Sequence, residues 1–215
     1  MKNARIALGA LAGMAFLAAA TPASADPATA EALFKAGSAL FEGGKFNEAC
    51  DKFAESYRQD AQIGTEKAQA VACEKAGRLA TAWATWNHLA FDATKTGDSA
   101  LASGSREKAA VLEPRLSKLT IATADAATPG LLIRRDGQDI GAGALGTAIP
   151  VDPGAHVIEA TAPGYEVWQT TVTVGAASDQ KIVTIPSLTK KAEGGAMADG
   201  GSPPNKTKRI VSYVV

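Results

Sequence analysis

The stretch that decides the fold is GKFNEACDKF at residues 44–53, together with GRLATAWATW at residues 77–86. A shift of 33 residues aligns the two, and it matches a glycine, a large apolar residue, an alanine and an aromatic residue in each copy. The apolar residues recur at three- and four-residue steps, as one face of an α-helix requires. Because the glycine interrupts the helical pattern, each copy predicts the second helix of an antiparallel helix pair.

Working outward from these copies, the apolar spacing predicts five helices between residues 26 and 117. The first carries its apolar face from Leu33 to Phe41, and the third covers Glu66–Ala76. The fifth begins after Asp98, which can cap it, and stops at Pro114. In the fourth helix Trp83 and Trp86 lie on the apolar face, so we expect them in the core rather than in a ligand site.

Beyond residue 117 the apolar period changes to two, which is typical of β-strands. Short β-branched and apolar runs alternate with turn dipeptides, among which Asp136-Gly137 is a strong hairpin signal. The seven predicted strands are Lys118–Ala122, Leu131–Arg135, Gln138–Ile140, Thr147–Val151, His156–Ala162, Trp168–Val174 and Lys181–Ile185. Residues 118–188 therefore predict a small antiparallel β-sandwich, and the fold class is multidomain, α then β.

The N-terminal residues 1–25 have the pattern of a cleavable signal peptide. Lys2 and Arg5 precede an apolar stretch from Ile6 to Ala20, and a small-residue cleavage pattern follows. Cleavage is predicted between Ala25 and Asp26. The apolar stretch is shorter than the roughly 20 residues that span a bilayer, although an anchor that is not cleaved is the alternative. We therefore expect an exported protein of the periplasm or cell envelope.

The C-terminal residues divide into a polar tract and an apolar end. Residues 189–209 are rich in glycine, serine, proline and basic residues, which predicts a disordered basic linker. Residues 210–215 are apolar and resemble the beginning of a membrane helix that is cut short. Either the protein is a secreted soluble form, or the sequence is a fragment of a membrane-anchored one.

Charge and motif content argue against nucleic-acid binding and against catalysis. The chain has 22 basic and 22 acidic residues, without a basic stripe that carries interleaved aromatic residues. The GxGxxG match at Gly141–Gly146 lies between β segments, which favours a loop over a dinucleotide site. Neither His88 nor His156 is predicted as a metal ligand. We therefore expect no catalytic residue, no metal and no cofactor.

The helical region resembles the tetratricopeptide repeat. The family pattern of small residue, turn glycine, large residue, alanine and aromatic residue occurs twice, as Gly37, Gly44, Phe46, Ala49 and Phe53 and as Ala70, Gly77, Leu79, Ala82 and Trp86. The chain departs from the family at Ala61, where a proline is usual, and the second copy is degenerate. An unrelated helical bundle is the alternative.

The resemblance implies a groove lined by the first helix of each pair. An extended peptide or a helix would bind there. The residues that it places in the groove are Phe34, Ser38 and Phe41 from the first helix and Lys67, Val71 and Glu74 from the third. Neighbouring helices of such an array pack together, so Cys50 and Cys73 are expected to form a disulfide in an exported protein. Two buried free thiols are the alternative.

The strand region resembles the PEGA domain of bacterial surface-layer and envelope proteins, and the order of the turns carries the resemblance. The matching segments are Pro129-Gly130, Asp136-Gly137, Gly141, Pro150–His156 and Ala162–Tyr165. Tetratricopeptide repeats followed by this domain resemble envelope proteins of myxobacteria and their relatives. The combination implies a binding or structural role.

The function expected from the sequence is a non-enzymatic interaction or scaffold module whose groove binds another envelope protein or a peptide. The alternative is a structural protein of the cell wall or surface layer. In that case the β-sandwich would contact glycan or surface-layer material, and flat exposed aromatic rings near Tyr165 and Trp168 would favour it. Contact with a membrane is expected only if the C-terminus continues into a helix.

Overall fold

A computed structural model describes residues 26–191 of the chain. The predicted signal peptide, its last residue Ala25, most of the predicted linker and the apolar residues 210–215 lie outside this range. The described residues form five α-helices followed by seven strands in two sheets, which confirms the predicted α then β layout. Within residues 26–191, no helix combines the length and the apolar character needed to cross a bilayer.

The five helices begin and end close to the residues predicted for them. They are α1 (Pro27–Glu42), α2 (Phe46–Gln59), α3 (Ile63–Lys75), α4 (Leu79–Thr96) and α5 (Ser99–Leu112). Asp98 caps α5 as expected, because its Oδ1 accepts a hydrogen bond from the Leu101 backbone N–H at 2.9 Å. Gly44 and Gly77 have φ angles of +73° and +77°, a conformation that favours glycine, and they close the turns before α2 and α4.

Each helix packs against the next one along the chain. Small residues permit this close packing, since Ala49, Ala70 and Ala82 are completely buried. Gly37 in α1 faces the ring of Phe53 in α2, and a Cβ atom at position 37 would lie only 2.9 Å from that ring. The small residue of the repeat pattern therefore packs directly against the aromatic residue of the same repeat, where α1 meets α2.

A disulfide joins Cys50 of α2 to Cys73 of α3, as predicted. The two Cα atoms are 4.9 Å apart, and both side chains are completely buried. Closing a loop of this size stabilises a protein by about 3 kcal/mol in the chain-entropy description. The bond therefore fastens the first helix pair to the second.

The seven strands match the seven that were predicted. They are β1 (Ser117–Thr123), β2 (Leu132–Arg135), β3 (Gln138–Ile140), β4 (Ala148–Val151), β5 (Gly154–Thr161), β6 (Trp168–Val174) and β7 (Gln180–Ile185). One sheet has the order β4-β1-β7 and the other β3-β2-β5-β6. Strand β2 pairs antiparallel with β3 and with β5. Asp136 and Gly137, both with positive φ, form the predicted hairpin turn between β2 and β3.

Backbone pairing continues past Leu188, the predicted end of the strand domain. Tyr165 forms an isolated bridge with Lys190, and the Lys191 N–H donates to the Gly164 carbonyl at 2.9 Å. The first residues assigned to the linker are therefore hydrogen-bonded to the loop that follows β5.

The chain divides into two compact units. Within the described range, the first contains the helices and residues up to Leu119, together with Ile149–Gly154 and Thr173–Lys181. The second contains Thr120–Ala148, Ala155–Val172 and the residues from Ile182 onward. Asp152 therefore belongs to the helical unit, and it contacts the first turn of α4: the Thr81 N–H donates to its Oδ1 at 3.0 Å.

Candidate functional site

A cavity of about 400 Å³ lies among the first three helices; we call it the first cavity. Its lining residues are Ser38, Phe41 and Glu42 of α1, Phe53 of α2, and Gly64, Lys67, Ala68 and Val71 of α3. Four of the six residues predicted for the groove therefore lie around one hollow, two from α1 and two from α3.

The first cavity has an apolar floor and a charged rim. Phe53 is buried at the floor, while Phe41 and Val71 are half-buried beside it. Glu42 and Lys67 are exposed and carry opposite charges. A hollow of this kind suits an apolar side chain of a ligand, and the two charges at its rim can orient the chain that carries it.

The other two predicted residues do not line this cavity. Phe34 is half-buried, and its ring centroid lies 5.3 Å from that of Phe53. It lines a neighbouring hollow with residues such as Pro27 and Ala30. Glu74 is half-buried, and its Oε2 accepts a hydrogen bond from Trp86 Nε1 at 3.3 Å. Glu74 thus contributes to packing between α3 and α4.

A second cavity, of about 470 Å³, lies among α3, α4 and α5. Its lining residues are Lys67, Trp86, Asp98, Ala100, Leu101, Gly104, Ser105 and Lys108. None of the predicted groove residues lies on α5, and this cavity was not predicted. The 33-residue period could have predicted it, because adding 33 to the groove residues of α3 gives residues of α5.

The two cavities are related by that period. Adding 33 to Phe53, Lys67, Ala68 and Val71 of the first cavity gives Trp86, Ala100, Leu101 and Gly104 of the second. A buried aromatic residue of an even-numbered helix lies at the floor of each cavity, and the following odd-numbered helix forms a wall. Lys67 lines both cavities, so it lies at the boundary between them.

Neither a family model nor a curated protein matches this sequence. The tetratricopeptide and PEGA resemblances therefore depend on the residues quoted for them.

A polar cluster formed by Glu66, His88 and Asp92 shares no residue with the lining of either cavity. His88 Nδ1 is 2.6 Å from Glu66 Oε1 and 3.7 Å from Asp92 Oδ2. Burial raises the pKa of Glu66; the hydrogen bond and the charge of His88 oppose this only in part, and Asp92 adds to it. This cluster was not predicted, and His88 was not expected to be a metal ligand, although His88 and Asp92 are four residues apart on α4.

The aromatic residues fall into two groups. Trp86 is buried in the helical core and Trp83 packs against that core, as predicted. In the second unit Tyr165 and Trp168 are half-buried, so each ring is partly exposed. The GxGxxG segment contains only a short 3-10 turn, Ala142–Ala144, in keeping with the loop that was predicted there.

Proposed function

We propose that this chain is a non-enzymatic, exported protein–protein interaction module of the bacterial envelope, which binds a peptide or a protein segment along its helical unit. The observation that carries the proposal is the pair of cavities repeated at the 33-residue period. The resemblance to tetratricopeptide repeats predicts a groove on the first helix of each pair. Helices α1, α3 and α5 supply most of the residues around the two cavities.

The repetition of the cavities supports a ligand with an extended or helical backbone. Each cavity offers an apolar floor, Phe53 in one and Trp86 in the other, and these residues occupy equivalent positions of the repeat. A segment that crosses both can place one apolar side chain in each, while its backbone passes Lys67. Peptide recognition by helix-binding grooves commonly uses apolar side chains of the ligand as anchors.

The Cys50–Cys73 disulfide supports the exported location. Disulfides persist in oxidising compartments such as the periplasm and are rare in the cytosol. The bond also joins α2 to α3, the helices that contribute Phe53 and Val71 to the first cavity. A rigid cavity binds with a smaller loss of conformational entropy than a flexible one.

The proposal is tested by affinity capture from an envelope extract with the immobilised protein and two matched variants. The cavity variant carries Phe41→Ala and Val71→Ala, which removes apolar surface from the first cavity. The control variant carries Phe91→Ala and Val111→Ala, two side chains that are 57% and 64% exposed and line neither cavity. Circular dichroism and thermal unfolding first establish that both variants fold.

We expect the wild type and the control variant to retain the same protein, and the cavity variant to retain at least tenfold less of it. The captured segment is then mapped by photo-crosslinking from position 38. Equal retention by all three proteins would contradict binding in the first cavity. Retention of glycan alone by all three would instead favour the structural role in which the strand region makes the contact.

A further inference from the structure

We propose that Glu66, His88 and Asp92 form a binding site for a divalent transition-metal ion of the zinc class. The cluster joins α3 to α4: Glu66 comes from α3, and His88 and Asp92 come from successive turns of α4. One donor atom from each residue lies within 4.8 Å of the donor atoms of the other two. This inference goes beyond the proposed peptide binding and uses none of the residues that line the two cavities.

The donor types favour zinc over the common hard cations. Calcium and magnesium prefer sites made entirely of oxygen, whereas an imidazole nitrogen suits zinc, copper and nickel. A histidine and two carboxylates give three protein ligands, and a water molecule would complete a tetrahedral zinc site. Two residues four positions apart on one helix project from the same face, so His88 and Asp92 can bind one ion.

The distances require only small movements of side chains. Zinc bonds of about 2.0–2.2 Å place two tetrahedral ligands about 3.3 Å apart. His88 Nδ1 lies 2.6 Å from the Glu66 oxygen and 3.7 Å from the Asp92 oxygen. The first of these distances has to widen and the second to shorten by less than 1 Å, while the donor oxygens of Glu66 and Asp92, which lie within 4.8 Å of each other, have to approach by up to about 1.5 Å. The His88 side chain is 53% exposed, so its ring is free to shift by this amount.

Glu66 supplies an independent indication that the site takes a ligand. Its side chain is only 3% exposed, and its Oε2 atom has no hydrogen-bond partner among the described residues. A buried carboxylate oxygen without a partner is costly and calls for a proton, a water molecule or a cation. Since Oε1 already faces His88, a cation bound between the two residues would also be within reach of Oε2.

The remaining neighbours of the cluster are compatible with a bound cation. The Oδ1 atom of Asp92 forms an ion pair with Lys95 Nζ at 3.4 Å, and its Oδ2 atom faces His88. The Lys95 side chain is 61% exposed and can move into solvent when a cation arrives. The ring of Tyr57 meets the imidazole edge to face, with centroids 6.3 Å apart, and limits the orientations of His88.

The test is isothermal titration calorimetry of the purified, tag-free protein with zinc chloride. The variants His88→Ala and Asp92→Asn are titrated in the same way. His156→Ala is the matched control, because His156 also contacts a carboxylate, that of Asp136 at 2.7 Å. We expect one zinc ion per chain, at least tenfold weaker binding in the first two variants, and unchanged binding in the control. Cobalt(II) supplies a second readout, since a tetrahedral site gives it a visible absorption band.

The proposal fails if the wild type binds no zinc, or if His88→Ala and Asp92→Asn bind it as tightly as the wild type does. Both variants change side chains that are at least one-quarter exposed, and thermal unfolding in the presence of a chelator shows whether the metal-free fold is intact. An unchanged metal-free unfolding temperature together with lost zinc binding would assign the metal to this cluster.

Discussion

Gly37 shows how one atom can decide whether two helices fit together. The position is buried in α1, and a Cβ atom built there would lie 2.9 Å from Phe53 Cδ1 and Cε1. The Phe53 ring is 3% exposed and belongs to the helical core, so it has little room to retreat. The small residue expected from the repeat pattern is therefore required by contact with an aromatic residue of the same repeat.

We predict that Gly37→Ala destabilises the protein by about 1–3 kcal/mol, because overpacking a buried contact forces side chains and backbone to shift. Gly104→Ala in α5 is the matched control, since a Cβ atom there would meet nothing within 4 Å. This control should gain about 0.5–1 kcal/mol from the better helix propensity of alanine. Guanidinium unfolding followed by circular dichroism measures both changes. An equal increase in the free energy of unfolding of the two variants would show that the Phe53 ring can shift without destabilising the protein.

At the scale of elements, the start of α4 depends on a residue that is distant in sequence. Among the described residues, Arg78 at the N-cap position makes no side-chain capping bond. Asp152 takes its place: its Oδ1 accepts from the Thr81 N–H at 3.0 Å, and its Oδ2 contacts the Thr81 hydroxyl and Arg78 Nε. An acidic group at the first turn also interacts favourably with the helix dipole.

We predict that Asp152→Ala lowers the free energy of unfolding by about 0.5–2 kcal/mol, the usual cost of a lost N-cap. Asp152→Asn should retain much of the stability, because the amide oxygen can still accept from the Thr81 N–H. Asp139→Ala serves as a control at a side chain that is 64% exposed and pairs with Arg134, where the expected loss is below about 1 kcal/mol. Similar losses at positions 152 and 139 would argue against a capping role.

The elements themselves could be predicted from the sequence because local signals agree with the tertiary fold. Asp98 caps α5, Gly44 and Gly77 take positive φ, and Asp136-Gly137 turns between β2 and β3. The cap on α4 could not be predicted in this way, since 71 residues separate Asp152 from Thr81. Only packing brings these two residues together.

For the sites of the whole molecule, too, local sequence patterns could be used for prediction, whereas contacts between distant residues could not. The resemblance to tetratricopeptide repeats named Ser38, Phe41, Lys67 and Val71 as groove residues, and these four side chains line one cavity. Phe34 and Glu74, which the resemblance also named, do not line this cavity, since the direction of each side chain depends on how its helix is rotated against its neighbour. In the cluster of Glu66, His88 and Asp92, the four-residue spacing of His88 and Asp92 on α4 is visible in the sequence. Glu66 lies on another helix and shares no local pattern with them, so its contact with His88 could not be predicted.

A ligand that runs through both cavities has to pass Lys67, which lines each of them. We predict that Lys67→Glu weakens binding of the captured segment by about tenfold or more, because it reverses the charge at the centre of the path. Lys52→Glu is the matched control on the exposed surface of α2, outside both cavities. Since Lys67 is exposed, stability should change by no more than about 0.5 kcal/mol.

The two charge reversals are compared by fluorescence anisotropy with a labelled peptide of the captured segment, at two salt concentrations. Because exposed charges are screened by salt, the difference between Lys67→Glu and the wild type should shrink at the higher concentration, while Lys52→Glu stays close to the wild type at both. An equal loss of affinity for the peptide in both variants would mean that binding depends on the net charge of the protein and not on the position of Lys67. No weakening by either would place the ligand in a single cavity or elsewhere, and the repeated geometry would then serve stability rather than recognition.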